Sequence, residues 1–335
     1  MIQYPSFFHQ AKIGVTAPSS GVEKELHILL HKAQQQFQKQ GFTLWFGDTA
    51  WTQEKAKSAS ARKRASEFQQ FMADERINAI IPPWGGELLI EIIELIDFTK
   101  LPIKWVMGYS DTSLLLLAIT LKTGIATAHG PNLVDLRSEQ VDATSVMWKK
   151  VLTTKLGESV EQVSSPYYQK EWDHSTDDLQ LTETTKWKTA KPTVKVEGRL
   201  LGGCIDVIHH LVGTPFGDVQ AFRSQHLNQD EPIIWYFENC EMSVTDLKRS
   251  FIQMKLAGWF KNCTSILFGR SAVTADIEGY QFEDVYQEIE KELGVPVIHD
   301  IDCGHVPPQN TFINGAYAEV FVENGKGRLK QSFLP

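Results

Sequence analysis

The amino-acid sequence predicts an α/β protein of two domains, the first of which is built on a mostly parallel, doubly wound sheet. The length of 335 residues fits two domains of about 100 to 200 residues each. From Lys12 to about Lys150, short β-branched runs alternate with helical stretches, as in successive βαβ units. Gly and Pro residues stand where the predicted strands end, at the sheet edge where ligands bind in such folds.

The elements of the first half follow from this alternation. Helices are expected from about Val22, through the 50s to 70s, and at two apolar runs, LLIEIIELI and LLLLAITLK. The strands between them are expected at KIGVTAP, FTLWFG, INAIIP, IKWVMG and IATAHG. This first domain is predicted to cover residues 1–160.

A polar segment separates this half from a second α/β unit. Residues 161–194 show no sustained apolar period and are expected to form an interdomain loop or linker, which carries Trp172 and Trp187. The second domain is expected over residues 195–335, with a capping Ser243 before its first long helix. Its strands are predicted near 233–237, 264–269, 295–299 and 315–322, and its helices near 244–257 and 281–293.

Composition narrows the classes of function. Lys plus Arg number 33 against 41 Asp plus Glu, so the net charge of −8 provides no basic surplus and nucleic acid is not an expected partner. The four cysteines lie far apart and are interpreted as reduced thiols. No secretory signal is visible, and no apolar run reaches the ~18 residues that a membrane span needs. A cytoplasmic protein with no membrane partner is expected.

The segment IKWVMGYSDTSLLLLAI predicts a nucleophile turn. A buried strand leads through Gly108 to Ser110, and a helix opens at about Asp111. Such a strand-turn-helix crossing exposes a serine hydroxyl and directs the next N–H at a developing oxyanion. Thr112 stands where G-x-S-x-G has its last glycine, and helix capping by Ser110 or Asp111 is an equally good interpretation of this segment alone.

A second turn, PPWGGELL, also lies between a predicted strand and a predicted helix. The backbone amides at Gly85 and Gly86 could bind an anion or complete an oxyanion hole. The alternative is an ordinary tight turn that uses the conformational freedom of glycine.

A serine nucleophile needs a base, and ten histidines are available. His27 and His31 are four residues apart but lack the Glu of a zinc-binding helix. A metal site at IHDIDCGH, which contains His299, Asp300, Asp302, Cys303 and His305, stays open as a minor alternative. His305 alone, in a Gly-flanked loop after a strand, is the candidate general base.

Glu238 supplies the candidate orienting carboxylate, because it ends the apolar strand of PIIWYFENCE. Its alternative is a strand-ending acid that faces water. The chain order Ser110, Glu238, His305 is the hydrolase order of nucleophile, acid and base.

Taken together, these motifs make the sequence resemble the serine LD-carboxypeptidases and the microcin C immunity peptidases of the same family. The resemblance runs nearly from end to end and is carried by seven segments: IGVTAPSS, GGELLIEIIELIDF, GYSDTS, AHGPN, GRLLGGCIDVI, FEN and CGHVPPQNTFINGAYAEV.

The resemblance implies a Ser110, Glu238 and His305 triad, with Gly86 and Asp111 N–H groups as oxyanion donors. It also implies a Rossmann-like first domain, a second domain with a small barrel-like or swivelling sheet, a homodimer, and neither a metal nor an organic cofactor. Substrate contacts are expected from Gly85, Trp187, Gly203 and Cys204. Cys204 stands where family members commonly carry Asn, so the contact made by that Asn is in doubt here.

The expected activity is hydrolysis of a C-terminal peptide or amide bond of a small substrate, namely the L,D bond of a muropeptide. The alternative within the family is cleavage of an aminoacyl-nucleotide analogue, with Trp187 stacking on the base. Packing of Trp187 on its own domain is the competing interpretation. The alternative from another class is a ligand-binding protein without turnover.

Overall fold

The computed structural model describes residues 1–170, 176–228 and 230–335, and in it the chain forms two multistranded sheets with helices around them. The strands are β1 (Lys12–Val15), β2 (Thr43–Phe46), β3 (Ala79–Ile80), β4 (Trp105–Gly108), β5 (Thr127–His129), β6 (Ser159–Val163), β7 (Tyr167–Tyr168), β8 (Glu183–Thr184), β9 (Lys188–Thr189), β10 (Thr193–Cys204), β11 (Ile233–Glu238), β12 (Cys263–Gly269), β13 (Val297–Ile301), β14 (Phe312–Asn314), β15 (Tyr317–Glu323) and β16 (Lys326–Ser332). The α-helices are α1 (His27–Lys39), α2 (Ala61–Ala73), α3 (Thr112–Thr123), α4 (Trp148–Leu152), α5 (Ile205–Ile208), α6 (Val219–His226), α7 (Val244–Leu256) and α8 (Phe282–Leu293).

The first sheet has the strand order β14-β5-β4-β3-β1-β2. Strands β1 to β5 run parallel, and the order reverses between β1 and β3. This reversal is the switch point at which doubly wound sheets bind ligands. The α/β, doubly wound prediction is therefore confirmed. The antiparallel edge strand β14 comes from the other half of the chain and pairs Phe312 with His129.

The second sheet has the order β6-β16-β15-β10-β11-β12-β13-β9. Its centre, β10 to β13, is parallel, whereas β15, β16, β6 and β9 pair antiparallel. The α/β character of the second half is thus confirmed. Over the described residues the sheet is open, with β6 and β9 at its two edges, and it does not close into a barrel.

The polar segment 161–194 differs from the linker that its composition suggested. It contains most of β6 and all of β7 to β9, and β6 and β9 are the edges of the second sheet. The apolar alternation of β6 is hidden because one of its two buried residues is Gln162, whose amide bonds both N–H and C=O of Thr311. Trp172 lies outside the described residues.

Helix α3 is the central helix of the molecule. Residues 112–121 are all buried, because α3 packs against the first sheet on one side and against β10 on the other. A helix that is apolar all round is expected only in such a position. The run LLIEIIELI also becomes helical, but as a 3-10 helix, Leu89–Leu95. Across the described ranges, every helix is too short or too polar to cross a membrane.

Candidate active site

Ser110 lies on the turn that joins β4 to α3. Its φ of 60° is in the left-handed region, which is unusual for a residue other than glycine. The turn is held from both ends: the Tyr109 N–H donates to Asn132 Oδ1 at 3.3 Å, and the Ser113 N–H donates to the Ser110 carbonyl at 2.8 Å. Strain of this kind is typical of a nucleophile turn. The capping alternative finds no support, since the cap of α3 is Asp111 and neither side chain caps the helix.

The Gly85-Gly86 loop packs directly on this turn. A Cβ built on Gly85 would lie 2.5 Å from Ser110 Cβ and 3.0 Å from the Asp111 nitrogen. Gly86 has a φ of 141°, which L side chains rarely adopt. The N–H groups of Gly86 and Asp111 find no backbone acceptor among the described residues. Both amides are therefore free to bind an anion beside Ser110.

The Asp111 side chain braces the two turns against each other. It is 2% exposed, and it accepts hydrogen bonds from the Ser19 hydroxyl and, at 2.8 Å, from the Leu89 N–H. Burial raises the pKa of this carboxyl to about 6, although both hydrogen bonds oppose the shift. Its position fixes the oxyanion candidates relative to each other.

His305 and Glu238 form a close pair. The Nδ1 atom of His305 lies 2.7 Å from Oε2 of the fully buried Glu238. The imidazole also packs edge-on against Tyr109, the residue before Ser110, with ring centroids 4.9 Å apart. The structure thus brings the predicted base and acid together beside the predicted nucleophile turn.

The two groups shift each other's pKa. Burial alone would lower the pKa of His305, but the charge and hydrogen bond of Glu238, together with the contact of Cys240, outweigh burial and raise the pKa well above its usual value. Burial alone would raise the pKa of Glu238, but the charge and hydrogen bond of His305 lower it. The pair therefore favours an imidazolium next to a carboxylate, which is how a triad acid stabilises its base.

The loop that carries His305 is fixed by a buried ion pair that sequence reasoning missed. Arg270 Nη1 lies 2.9 Å from Asp302 Oδ1, and the same guanidinium donates to the carbonyls of Val306 and Pro308. Gly304 must be glycine here, because its φ is 88° and a Cβ would meet Glu238 Oε2 at 2.5 Å. The sequence does contain a sign of this ion pair, because Arg270 directly follows the buried strand β12.

Gly203 and Cys204 lie where the second domain meets the first. A Cβ on Gly203, whose φ is 147°, would meet Ser113 Cβ of α3 at 2.7 Å. Cys204 is the register partner of Glu238 in the pairing of β10 with β11. Its thiol is 1% exposed and lies 3.4 Å from Asp206 Oδ2. Cys204 nevertheless lines, together with Ser110 and Gly86, a cleft of about 360 Å³.

The structure does not place Trp187, a predicted substrate contact, at an open surface, because the side chain is 1% exposed. Its Nε1–H donates to Asp302 Oδ2 at 2.9 Å. The ring lies against β16, where a Cβ on Gly327 would approach it to 2.0 Å. The competing interpretation, packing on its own domain, is the one that the structure supports.

The metal alternative at 299–305 does not gather its ligands. Asp302 accepts from Arg270, Trp187 and Ser165, and Asp300 pairs with Lys188 at 2.7 Å. Within the described residues, the one group of metal-type atoms within 4.8 Å of one another is Cys204, Glu238 and His305. In that group Glu238 and His305 lie close together because they contact each other directly.

These features define a class: two-domain α/β proteins in which a strained serine turn of one domain lies beside a His–carboxylate pair of the other. Comparison with known proteins narrows the class. Residues 13–130 match the LD-carboxypeptidase N-terminal domain and residues 197–320 match the LD-carboxypeptidase C-terminal domain. The chain belongs to the LD-carboxypeptidase family, a family of peptidases.

Individual relatives agree with this assignment. The chain is 25% identical over 313 residues to the microcin C7 self-immunity protein MccF of Escherichia coli, covering 89% of this chain and 86% of that protein. A structure of MccF in complex with glutamyl sulfamoyl guanosine superposes with a TM-score of 0.83 at 21% identity, over 100% of both chains. The muramoyltetrapeptide carboxypeptidase from Oxalobacter formigenes gives 0.76 at 20% identity, over 97% of this chain and 100% of that one.

Proposed function

We propose that the protein is a serine carboxypeptidase of the LD-carboxypeptidase type, with Ser110 as nucleophile, His305 as general base and Glu238 as the orienting acid. The observation that carries this proposal is the 2.7 Å contact between His305 Nδ1 and Glu238 Oε2, made beside the strained turn of Ser110. Family membership supports a peptidase, and the residue arrangement supports the serine type.

In this mechanism Glu238 holds the His305 proton on Nδ1, so that the lone pair of Nε2 is free to accept a proton. Nε2 accepts the Ser110 hydroxyl proton as the oxygen attacks the scissile carbonyl. The imidazolium then protonates the leaving amine, and water hydrolyses the acyl-enzyme by the same path in reverse. Because the pKa of His305 is raised, we expect kcat/KM to increase with pH until the imidazole is neutral.

The carbonyl oxygen that becomes an oxyanion is proposed to lie between the N–H groups of Gly86 and Asp111. The supporting observation is the approach of the Gly85-Gly86 loop to Ser110 and to the Asp111 nitrogen. Two preoriented amides of this kind, which need no reorganisation during the reaction, typically contribute a factor of 10² to 10³ each.

Two substrates are open within this proposal. The first is a muropeptide tetrapeptide, cleaved at its terminal L,D bond, as the name of the Oxalobacter formigenes enzyme suggests. The second is an aminoacyl-nucleotide analogue, suggested by the glutamyl sulfamoyl guanosine and aspartyl sulfamoyl adenosine that MccF binds. The cleft beside Ser110 is lined by Glu87, Asp206 and Glu241. An acidic lining of this kind disfavours anionic groups at that position, so we expect a carboxypeptidase substrate to place its C-terminal carboxylate away from these three side chains.

The test is turnover by Ser110→Ala, measured on both substrates. We expect kcat to fall on the order of 10⁴- to 10⁶-fold while the melting temperature stays close to that of the wild type. Ser224→Ala, on the exposed side of α6, is the matched control and should retain full activity. A serine-directed phosphonate should label the wild type at Ser110 alone. A protein that binds both compounds without hydrolysis or labelling would instead be a ligand-binding protein.

A further inference from the structure

A buried histidine that the mechanism above does not use lies behind the triad acid. His129 ends β5 within the AHGPN segment and is 0% exposed. Its Nε2 atom is 4.0 Å from Glu238 Oε1, the carboxylate oxygen that does not contact His305. Both atoms lack a hydrogen-bond partner among the described residues. Two buried polar atoms that face each other without other partners need an explanation.

The contacts on the two sides of the His129 ring favour one of its two tautomers. Cys303 Sγ lies 3.9 Å from His129 Nδ1. Burial raises the pKa of the Cys303 thiol well above its usual value, so the thiol stays protonated and is able to donate to Nδ1. The tautomer with the ring proton on Nε2 allows this contact, and it avoids two lone pairs facing each other at Nε2 and Glu238 Oε1.

We propose that His129 is a positioning residue that donates its Nε2–H to Glu238 Oε1 and so holds the triad carboxylate in the orientation that His305 requires. The inference rests on the proposed serine peptidase function. The present separation of 4.0 Å is longer than a hydrogen bond, and the proposal expects it to shorten by about 1 Å in the Michaelis complex, as hydrogen bonds of apo sites often do. The result is a chain of side chains that runs from Cys303 through His129 and Glu238 to His305, the proposed base.

His129 acts in this chain as a neutral dipole. Burial lowers its pKa to about 4, although Glu238 opposes the shift, so the ring carries no charge at neutral pH. Its Nε2–H stabilises the negative charge of Glu238 by donating a hydrogen bond to the carboxylate. Without that donor, Glu238 attracts the His305 proton more strongly, and the pKa of His305 rises further. The titratable groups that surround Glu238 and His129 are Tyr109, Asp135, Cys204, Tyr236, Cys240, Cys303 and His305.

A pair of variants separates the hydrogen bond from the packing. His129→Met fills the site without a donor, whereas His129→Gln places an amide N–H close to the Nε2 position. We expect His129→Met to lose about 10- to 100-fold in kcat/KM, as is typical for an unsatisfied buried acceptor. We also expect the acid limb of its profile of kcat/KM against pH to shift to higher pH by about half a unit or more. His129→Gln should stay within about threefold of the wild type, with the limb unshifted.

The outcomes distinguish the failure of this inference from failure of the proposed function. Turnover that is absent from the wild type, or insensitive to Ser110→Ala, overturns the function itself. Turnover that depends on Ser110 but is the same in His129→Met and the wild type overturns the inference alone. So does an equal loss in His129→Met and His129→Gln with no change in the pH profile, because packing would then explain it. The thiol of Cys204 is the competing donor to Glu238. A limb shift in Cys204→Ala and none in His129→Met would assign the role to Cys204 and refute His129.

Discussion

Replacement of Trp187 tests whether this side chain supports the fold or binds substrate. The ring is 1% exposed and belongs to the core of the second sheet, and truncation of a buried Trp to Ala typically costs about 3 to 5 kcal/mol. Trp187→Phe keeps most of the volume but removes the Nε1–H that donates to Asp302 at 2.9 Å. A hydrogen bond to a charged group contributes about 1.5 to 3 kcal/mol. Asp302 retains Arg270 as a partner, so the lower end of that range is expected.

The assay is urea denaturation followed by far-UV circular dichroism, which does not depend on tryptophan fluorescence. Trp51→Phe is the matched control, because Trp51 is only half-buried and its replacement should cost less than that of Trp187. The kcat/KM values for muropeptide and for aminoacyl sulfamoyl adenosine should change in parallel in both Trp187 variants. A Trp187→Ala protein as stable as the wild type, or one that loses only the nucleotide-bearing substrate, would show that the ring is not held in the core.

Three further predictions follow from the site. Gly85→Ala introduces a methyl group 2.5 Å from Ser110 Cβ; we expect kcat/KM to fall about 100-fold with the circular dichroism spectrum unchanged, and near-native turnover would contradict the close approach. For Asp111, burial raises the pKa to about 6 from about 3.9 in the unfolded chain, so stability is highest below the lower value and decreases as pH rises through about 6. Asp111→Asn should remove this decrease in the free energy of unfolding, which is on the order of 2 to 3 kcal/mol between pH 4 and pH 8. If the free energy of unfolding depends on pH in the same way in both proteins, the burial argument is refuted. Activity should persist in EDTA, because the proposed mechanism uses protein groups and no metal ion; a loss that zinc restores would revive the metal alternative.

The parts of the fold that depend on local pattern could be predicted from the sequence. Strand β4 and helix α3 are continuous apolar runs on either side of a short turn, so their positions and the turn at Ser110 follow from the letters alone. The pairing of His305 with Glu238 was predicted as well, although the two residues are 67 positions apart. That prediction depended on residue types at strand ends and on the resemblance to a family.

Features that depend on distant partners could not be predicted. The burial of Trp187 is created by Gly327 of β16 and by Asp302, both more than 110 residues further along the chain. Strand β6 was missed because Gln162 occupies a buried position and is satisfied by Thr311. The contact of His129 with Glu238 joins a strand of one sheet to a strand of the other. The apolar patterns of the two strands give no sign of this contact.

The crossing of β14 into the first sheet has a consequence for the order of biosynthesis. Residues 312–314 cover the edge of β5 at His129, yet they follow that strand by more than 180 residues. The first domain therefore leaves the ribosome with one sheet edge unpaired, and its hydrogen bonds to β14 form only after strands β10 to β13 of the second sheet have been made. A fragment ending at residue 160 would keep that edge open to other chains. The two halves therefore share a sheet, and we expect the first half to need the second in order to complete its fold.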